Sequence, residues 1–266
     1  MQSLDFTPEY RKMLEKLNVV RELYLNLLLQ YNDLLQVVRP NLTAIYLIKI
    51  GEKQLQLLEK QAKVAALKYK MELLQAALNR KEKPDPAAIE ADIAMKMAAY
   101  KQQIEEQAAQ IEEAHQHTSH LMSAAESTEL KKTYYNLAKK LHPDVNPEQT
   151  EKEKSLWLIV AQAYEIGDLE SLKNVSAVLS DTTVRVMEYS SLYIMQNEIE
   201  KYEKRLSNIT QKTNLLKKEF PFTFEEKLAD DDWVKAEATR IDSEIGMLKE
   251  TEDKLEIYIE MILEAL

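Results

Sequence analysis

Glycine stands at only three positions in this 266-residue chain, Gly51, Gly167 and Gly246. So small a stock cannot supply the tight turns that a many-stranded sheet needs in number. The seven prolines add few more. Ala, Leu, Glu, Lys and Gln dominate the rest, and Asp, Glu, Lys and Arg make up 30%, a composition typical of long helices and coiled coils. The chain therefore predicts an all-α fold.

Local signals place the helices. Thr7 can cap a first helix with Pro8 at its first position, where a missing N–H costs nothing. That helix is expected to end near Arg39, because Pro40 disfavours helical geometry in the residue before it. Its apolar stripe runs through Leu17, Val20, Tyr24, Leu27, Leu28, Tyr31, Leu34, Leu35 and Val38. Leu25 and Leu29 lie outside that stripe, which predicts cover on a second side; a homodimer is one arrangement that would supply it.

A second helix is expected over Leu42 to Arg80. Asp85-Pro86 then opens a third by the same logic as Thr7-Pro8. Ile93, Met97, Tyr100, Ile104 and Ile111 line its inner face, with Gln107 at the intervening position. These two helices predict an antiparallel hairpin. Near the C-terminus, Leu192, Met195, Ile199, Tyr202, Leu206, Ile209, Thr213 and Leu216 step by three and four. After a break at Phe220-Pro221-Phe222, so do Ile241, Ile245, Leu248, Glu252, Leu255, Ile259, Ile262 and Leu266. Sustained heptads predict a second hairpin, coiled-coil-like. Thr223 and Glu226 form a capping-box pattern in its turn. Phe220, Phe222, Phe224 and Trp233 are expected to cluster at its tip.

The expected architecture is elongated, with two long antiparallel hairpins flanking a small helical unit. In sequence order these are an N-terminal helical region with its hairpin over 1–120, the small unit over 121–180, and the C-terminal hairpin over 181–266. The small unit breaks the pattern. Ser127-Thr128-Glu129 offers an N-cap for the helix LKKTYYNLAKKL, whose Leu130, Tyr134, Leu137, Ala138 and Leu141 share one face. HPDVNP follows as a turn, by its proline and Asx content. Thr150 and Glu153 box the start of the next helix, with Leu156, Trp157, Val160, Ala163 and Tyr164 on its inner face. Gly167 ends it, and Asp168 caps another short helix through about Leu179.

Over residues 127–166 this helix–HPD–helix unit resembles the J-domain family of DnaJ-type co-chaperones. LKKTYYNLAKKLHPDVNP matches the family's second helix and loop, and Ala163-Tyr164 its Ala-Tyr pair; Trp157 stands where Phe is usual. The resemblance implies binding to an Hsp70 of the DnaK type and stimulation of its ATPase. Asp144 would meet an arginine of the partner, while Pro143 fixes the turn and His142 orients it. Lys131, Lys132, Lys139 and Lys140 would steer the encounter. It also implies a core of Leu130, Tyr134, Leu137, Leu141, Trp157, Val160, Ala163 and Tyr164. The family's first helix has no recognisable counterpart, so the end of the third long helix, near His120-Leu121-Met122, is expected to substitute.

Charge narrows the partners. The net charge is −10, with a sequence pI near 5.1, which disfavours general binding to nucleic acid or anionic membrane. Glu129 to Pro147 nonetheless carries four lysines against two acids, a basic patch suited to an acidic partner surface. With no cysteine, disulfides and thiolate metal sites are excluded. His115, His117 and His120 read as a solvated helix end rather than a metal site. No nucleophile or second histidine accompanies His142, so no enzyme activity and no cofactor are expected. The N-terminus lacks the pattern of a secretory signal, and a cytoplasmic location is expected. Two functional classes remain. One is a co-chaperone whose hairpins select an unknown client or a location; the other is a coiled-coil scaffold that keeps a J-like fold without engaging Hsp70.

Overall fold

The computed structural model describes residues 7–119, 124–179 and 192–265. Every regular element among them is helical: α1 (Pro8–Asp33), α2 (Arg39–Tyr46), α3 (Glu52–Arg80), α4 (Pro86–Ser119), α5 (Ala124–Leu141), α6 (Glu151–Glu165), α7 (Leu169–Leu179), α8 (Leu192–Leu216), α9 (Glu225–Ala229) and α10 (Asp231–Ala265). The all-α expectation is met. No helix among the described residues is long and apolar enough to cross a membrane.

Several ends follow their local signals. Thr7 Oγ1 accepts the Tyr10 N–H at 3.3 Å. Asp85 Oδ1 accepts the Ala87 N–H at 3.0 Å. Thr150 and Glu153 close a complete capping box. Other ends depart from expectation. Helical backbone continues through Pro40, because π turns span Leu34–Val38 and Leu47–Gly51. Arg39 N–H bonds to the Leu34 carbonyl, five residues back. That wider turn lets a helix pass a residue that cannot donate and whose ring crowds the carbonyl four residues back. Ser127 lies inside α5, which starts at Ala124. Thr223 does not cap α9; a 3-10 turn over Phe222–Phe224 leads into that helix instead.

The contacts divide the chain into two units, 1–40 with 121–222 and 41–120 with 223–266. Sequence order had suggested three consecutive segments. The difference arises from the C-terminal helices, which do not form a hairpin with one another. α8 packs on α1, and α10 packs on α3. A heptad stripe specifies that a face is buried, and it leaves open which helix buries it.

In the unit containing α3, the expected antiparallel hairpin is present. Lys96 Nζ lies 5.7 Å from the centre of the Tyr69 ring, and Gln107 Nε2 donates to the Gly51 carbonyl at 3.2 Å. Gln107 thus interrupts the apolar stripe of α4 to bond a carbonyl in the second π turn. His115 Nε2 lies 2.7 Å from Glu52 Oε1, and His117 Nε2 lies 2.7 Å from Asn41 Oδ1. Both histidines are exposed, as a solvated helix end requires, and they also tie helices together. His120 lies outside the described residues.

α10 runs parallel to α3: Lys53 pairs with Asp242 at 2.6 Å and Lys60 with Glu252 at 2.9 Å. Lys63 also pairs with Glu252. Glu252 sits at a seam position with 7% of its side chain exposed, and hydrogen bonds from Lys63 and Lys60 hold its carboxyl below its ordinary value of 4.5. A group depressed in the folded state stabilises above its unfolded value and loses that contribution as pH falls through the folded one. Glu252→Gln is therefore expected to melt several degrees below wild type at pH 7, with the gap closing as the solution is acidified below pH 4.5. Thermal unfolding across that range checks it; a gap constant with pH would contradict it.

Phe224 packs edge-on against Tyr46 at 4.9 Å and lies 6.1 Å from Trp233. Lys227 lies over the Phe224 and Trp233 rings.

In the unit containing the HPD segment, α1 has two buried faces. Leu17, Val20 and Tyr24 meet Met195, Ile199, Tyr202 and Ile209 of α8. Leu25 and Leu29 enter a separate core with α5, α6 and α7. The second side of α1 is thus covered from within the chain, and the off-stripe leucines need no second subunit.

Candidate functional site

The HPD loop grows out of the end of α5. The His142 N–H bonds to the Ala138 carbonyl at 2.8 Å, and the His142 carbonyl accepts from Val145 at 3.0 Å and Asn146 at 2.9 Å. These bonds close a compact turn. Its floor is the core of α5, α6 and α7, where Leu130, Tyr134, Leu137, Ala138, Leu141, Val160, Ala163 and Tyr164 are buried and Trp157 is partly buried. Tyr134 stacks on Tyr164 with centroids 3.9 Å apart and planes 9° from parallel. The Tyr164 hydroxyl donates to Asp33 Oδ1 at 2.7 Å. Burial, followed by that contact with Asp33, pushes the phenol strongly upward in pKa.

His142 is buried, its ring edge-on to Trp157 at 4.7 Å. Its Nδ1 accepts the Asp144 N–H at 3.1 Å, which requires that nitrogen to be unprotonated. Burial lowers the pKa of the ring, against a partial upward pull from the Asp144 carboxylate. The imidazole therefore acts as a neutral brace: Trp157 fixes its plane, and it fixes the backbone of Asp144. Pro143 is exposed at the corner.

The Asp144 side chain is 36% exposed and already engaged. The Tyr24 hydroxyl donates to Asp144 Oδ2 at 2.7 Å, and Arg205 Nη1 lies 4.0 Å from Oδ1. Tyr202 donates its hydroxyl to the Asp144 carbonyl. Burial and the bond to Asp144 push the Tyr24 phenol up to about 12, so it remains a donor at neutral pH. Arg205 lies 5.4 Å from the centre of the Tyr202 ring and 5.8 Å from that of Tyr24, which holds the guanidinium beside the loop.

The four lysines of α5 divide into pairs. Lys131 bonds Asp33 at 2.9 Å, and Lys139 bonds Glu22 at 3.1 Å. Lys132 and Lys140 are exposed, with no ion pair to another described residue. Every residue named from the sequence for this site thus lies on α5, in its loop or in the core beneath. Glu22, Tyr24, Asp33, Tyr202 and Arg205 were missed. The available signal was weak: tyrosines on two heptad stripes, whose hydroxyls need a polar partner once their rings are buried.

These residues form a rigid turn that presents a carboxylate beside a lysine-rich helix, on an aromatic floor. The family model of the DnaJ domain matches residues 120–187, about a quarter of the chain, so this segment carries a DnaJ domain. The match takes in α7 as well as α5 and α6. No curated protein and no solved structure matches the chain. The expected stand-in for the first helix, near His120-Leu121-Met122, falls outside the described residues. Among those described, α1 is the element that inserts Leu25 and Leu29 into this core.

Proposed function

We propose that this chain is a co-chaperone: its DnaJ domain binds an Hsp70 of the DnaK type through the HPD loop and the basic helix α5, and stimulates ATP hydrolysis by that partner in the cytoplasm. The observation that carries the reading is the HPD turn itself, with His142 braced on Trp157 and the Asp144 backbone held by the imidazole. A carboxylate on a fixed turn suits a charge-assisted bond to a guanidinium. Lys132 and Lys140 add exposed positive charge, without an ion pair to another described residue, on the same helix. The long helices outside the domain would select the client or the location.

Binding of the labelled full chain to ATP-loaded DnaK-type chaperones tests this. The expected affinity weakens as salt is raised, because charge steers the encounter. Lys132→Glu with Lys140→Glu is expected to weaken it further, by about tenfold at low salt. Absence of binding at low salt to several such chaperones, or indifference to both charge reversals, would overturn the reading.

The engagement of Asp144 by Tyr24 and Arg205 is the observation that favours the other class, a scaffold whose J-like fold serves its own packing. That reading expects partners captured through the long helices, with no effect of Asp144→Asn.

A further inference from the structure

Three side chains of the docking face, Lys131, Lys139 and Asp144, meet opposite or complementary chemistry from α1 and α8. Lys131 and Lys139 meet the carboxylates of Asp33 and Glu22. Asp144 meets a phenol hydroxyl and a guanidinium. Acid against the basic helix and arginine against the loop aspartate is the chemistry that the co-chaperone reading asks of the external partner. We propose that α1 and α8 form a built-in cap that competes with the Hsp70-type chaperone for the HPD loop, so that the DnaJ domain docks only when Asp144 is released; this rests on the co-chaperone reading.

The contacts grade the cap. The Lys139–Glu22 pair is largely exposed on both sides, and such pairs hold weakly. The Tyr24 hydroxyl is a stronger clasp, because Tyr24 is only 7% exposed and its acceptor is a carboxylate. Tyr202 adds a bond to the Asp144 carbonyl, so the loop is held through both side chain and backbone. Beneath these lies the apolar seam of Leu17, Val20, Met195 and Ile199. Leu25 and Leu29 anchor the other face of α1 in the domain core. α1 is therefore the fixed side of the clasp. The residues that must yield are Tyr24, Tyr202 and Arg205, two of them on α8. An incoming guanidinium would have to displace Arg205 and break the Tyr24 bond, and apparent affinity falls in proportion to how rarely that released state is populated.

The test compares wild type with the combined variant Glu22→Ala, Tyr24→Phe, Arg205→Gln in the full chain. The readout is affinity for an ATP-loaded DnaK-type chaperone. Tyr24→Phe alone serves as a second variant, since it keeps the buried ring and removes the hydroxyl. The combined variant is expected to bind about tenfold more tightly, the scale of one net hydrogen bond to a charged group, and Asp144→Asn is expected to abolish that gain. In the opposite direction, Lys16 on α1 pairs with Glu203 on α8 at 3.1 Å and the chain contains no cysteine, so Lys16→Cys with Glu203→Cys can be joined by a reducible thiol cross-linker that holds α8 on α1. The joined form is expected to bind several-fold more weakly than the same protein after reduction. Unchanged affinity in the variants, with Asp144→Asn still weakening wild type, overturns the cap and leaves the co-chaperone reading standing. No binding by wild type or any variant at low salt overturns that reading, and the cap with it.

Discussion

Asp144→Asn is expected to bring stimulation of the partner ATPase down to background while leaving the helical fold intact. The amide matches the carboxylate in shape, and residue 144 sits on a turn whose backbone bonds belong to His142, Val145 and Asn146. What disappears is the charge. Removing one partner of a close charged contact typically costs about 2–5 kcal/mol in binding, roughly a hundredfold or more in affinity. Within the free chain the change is mild, because Arg205 is only at the edge of ion-pair range and an amide can still meet the Tyr24 hydroxyl. Circular dichroism should therefore overlay on wild type, whereas single-turnover hydrolysis should not. Full stimulation by Asp144→Asn would remove the loop aspartate from the mechanism.

Leu29→Ala is expected to produce the largest loss of stability among substitutions on α1. Leu29 is fully buried, in the cluster formed by α5, α6 and α7, although it lies more than ninety positions before the first of those helices. Truncating a buried leucine removes its transfer energy and leaves a cavity, together costing about 2–5 kcal/mol. A loss near 3 kcal/mol corresponds to a melting point lower by roughly 6–12 °C for a unit of this size. Denaturant titration and thermal unfolding check the same number independently. A change below about 0.5 kcal/mol, the range of ordinary surface substitutions, would mean that α1 does not complete this core.

Much of this molecule was legible locally. Thr7, Asp85, Thr150 and Asp168 each mark a helix start because a cap is a contact between residues two or three apart. The inner face of α5 and the HPD turn were legible for the same reason. Pro40 misled because its effect depends on whether the backbone widens into a π turn, and residue type alone does not decide that. Ser127 misled because a capping residue also fits inside a helix that starts earlier.

Pairing was the least legible property. The stripe positions of α8 from Met195 on and the described ones of α10 are buried or half-buried, with Leu192 exposed and Leu266 outside the described residues. α1 and α3 cover these stripes, where the sequence suggests that the two cover each other. Glu252 carried a hint, since a carboxylate on a seam requires cations opposite, and α3 supplies Lys60 and Lys63. Leu25 and Leu29 carried another: a helix with two apolar faces needs two covers, and the sequence names neither. The hold on Asp144 was invisible for this reason, because Tyr24 and Arg205 reach the loop only once α1 and α8 have paired.

Single-turnover ATP hydrolysis by a DnaK-type chaperone, with and without the full chain, tests the central claim most directly. The wild-type chain is expected to accelerate hydrolysis, the Glu22→Ala, Tyr24→Phe, Arg205→Gln variant to do so at lower concentration, and Asp144→Asn to remove the acceleration from both. Hydrolysis at the basal rate with wild type and with the uncapped variant, across several such chaperones, would contradict that claim.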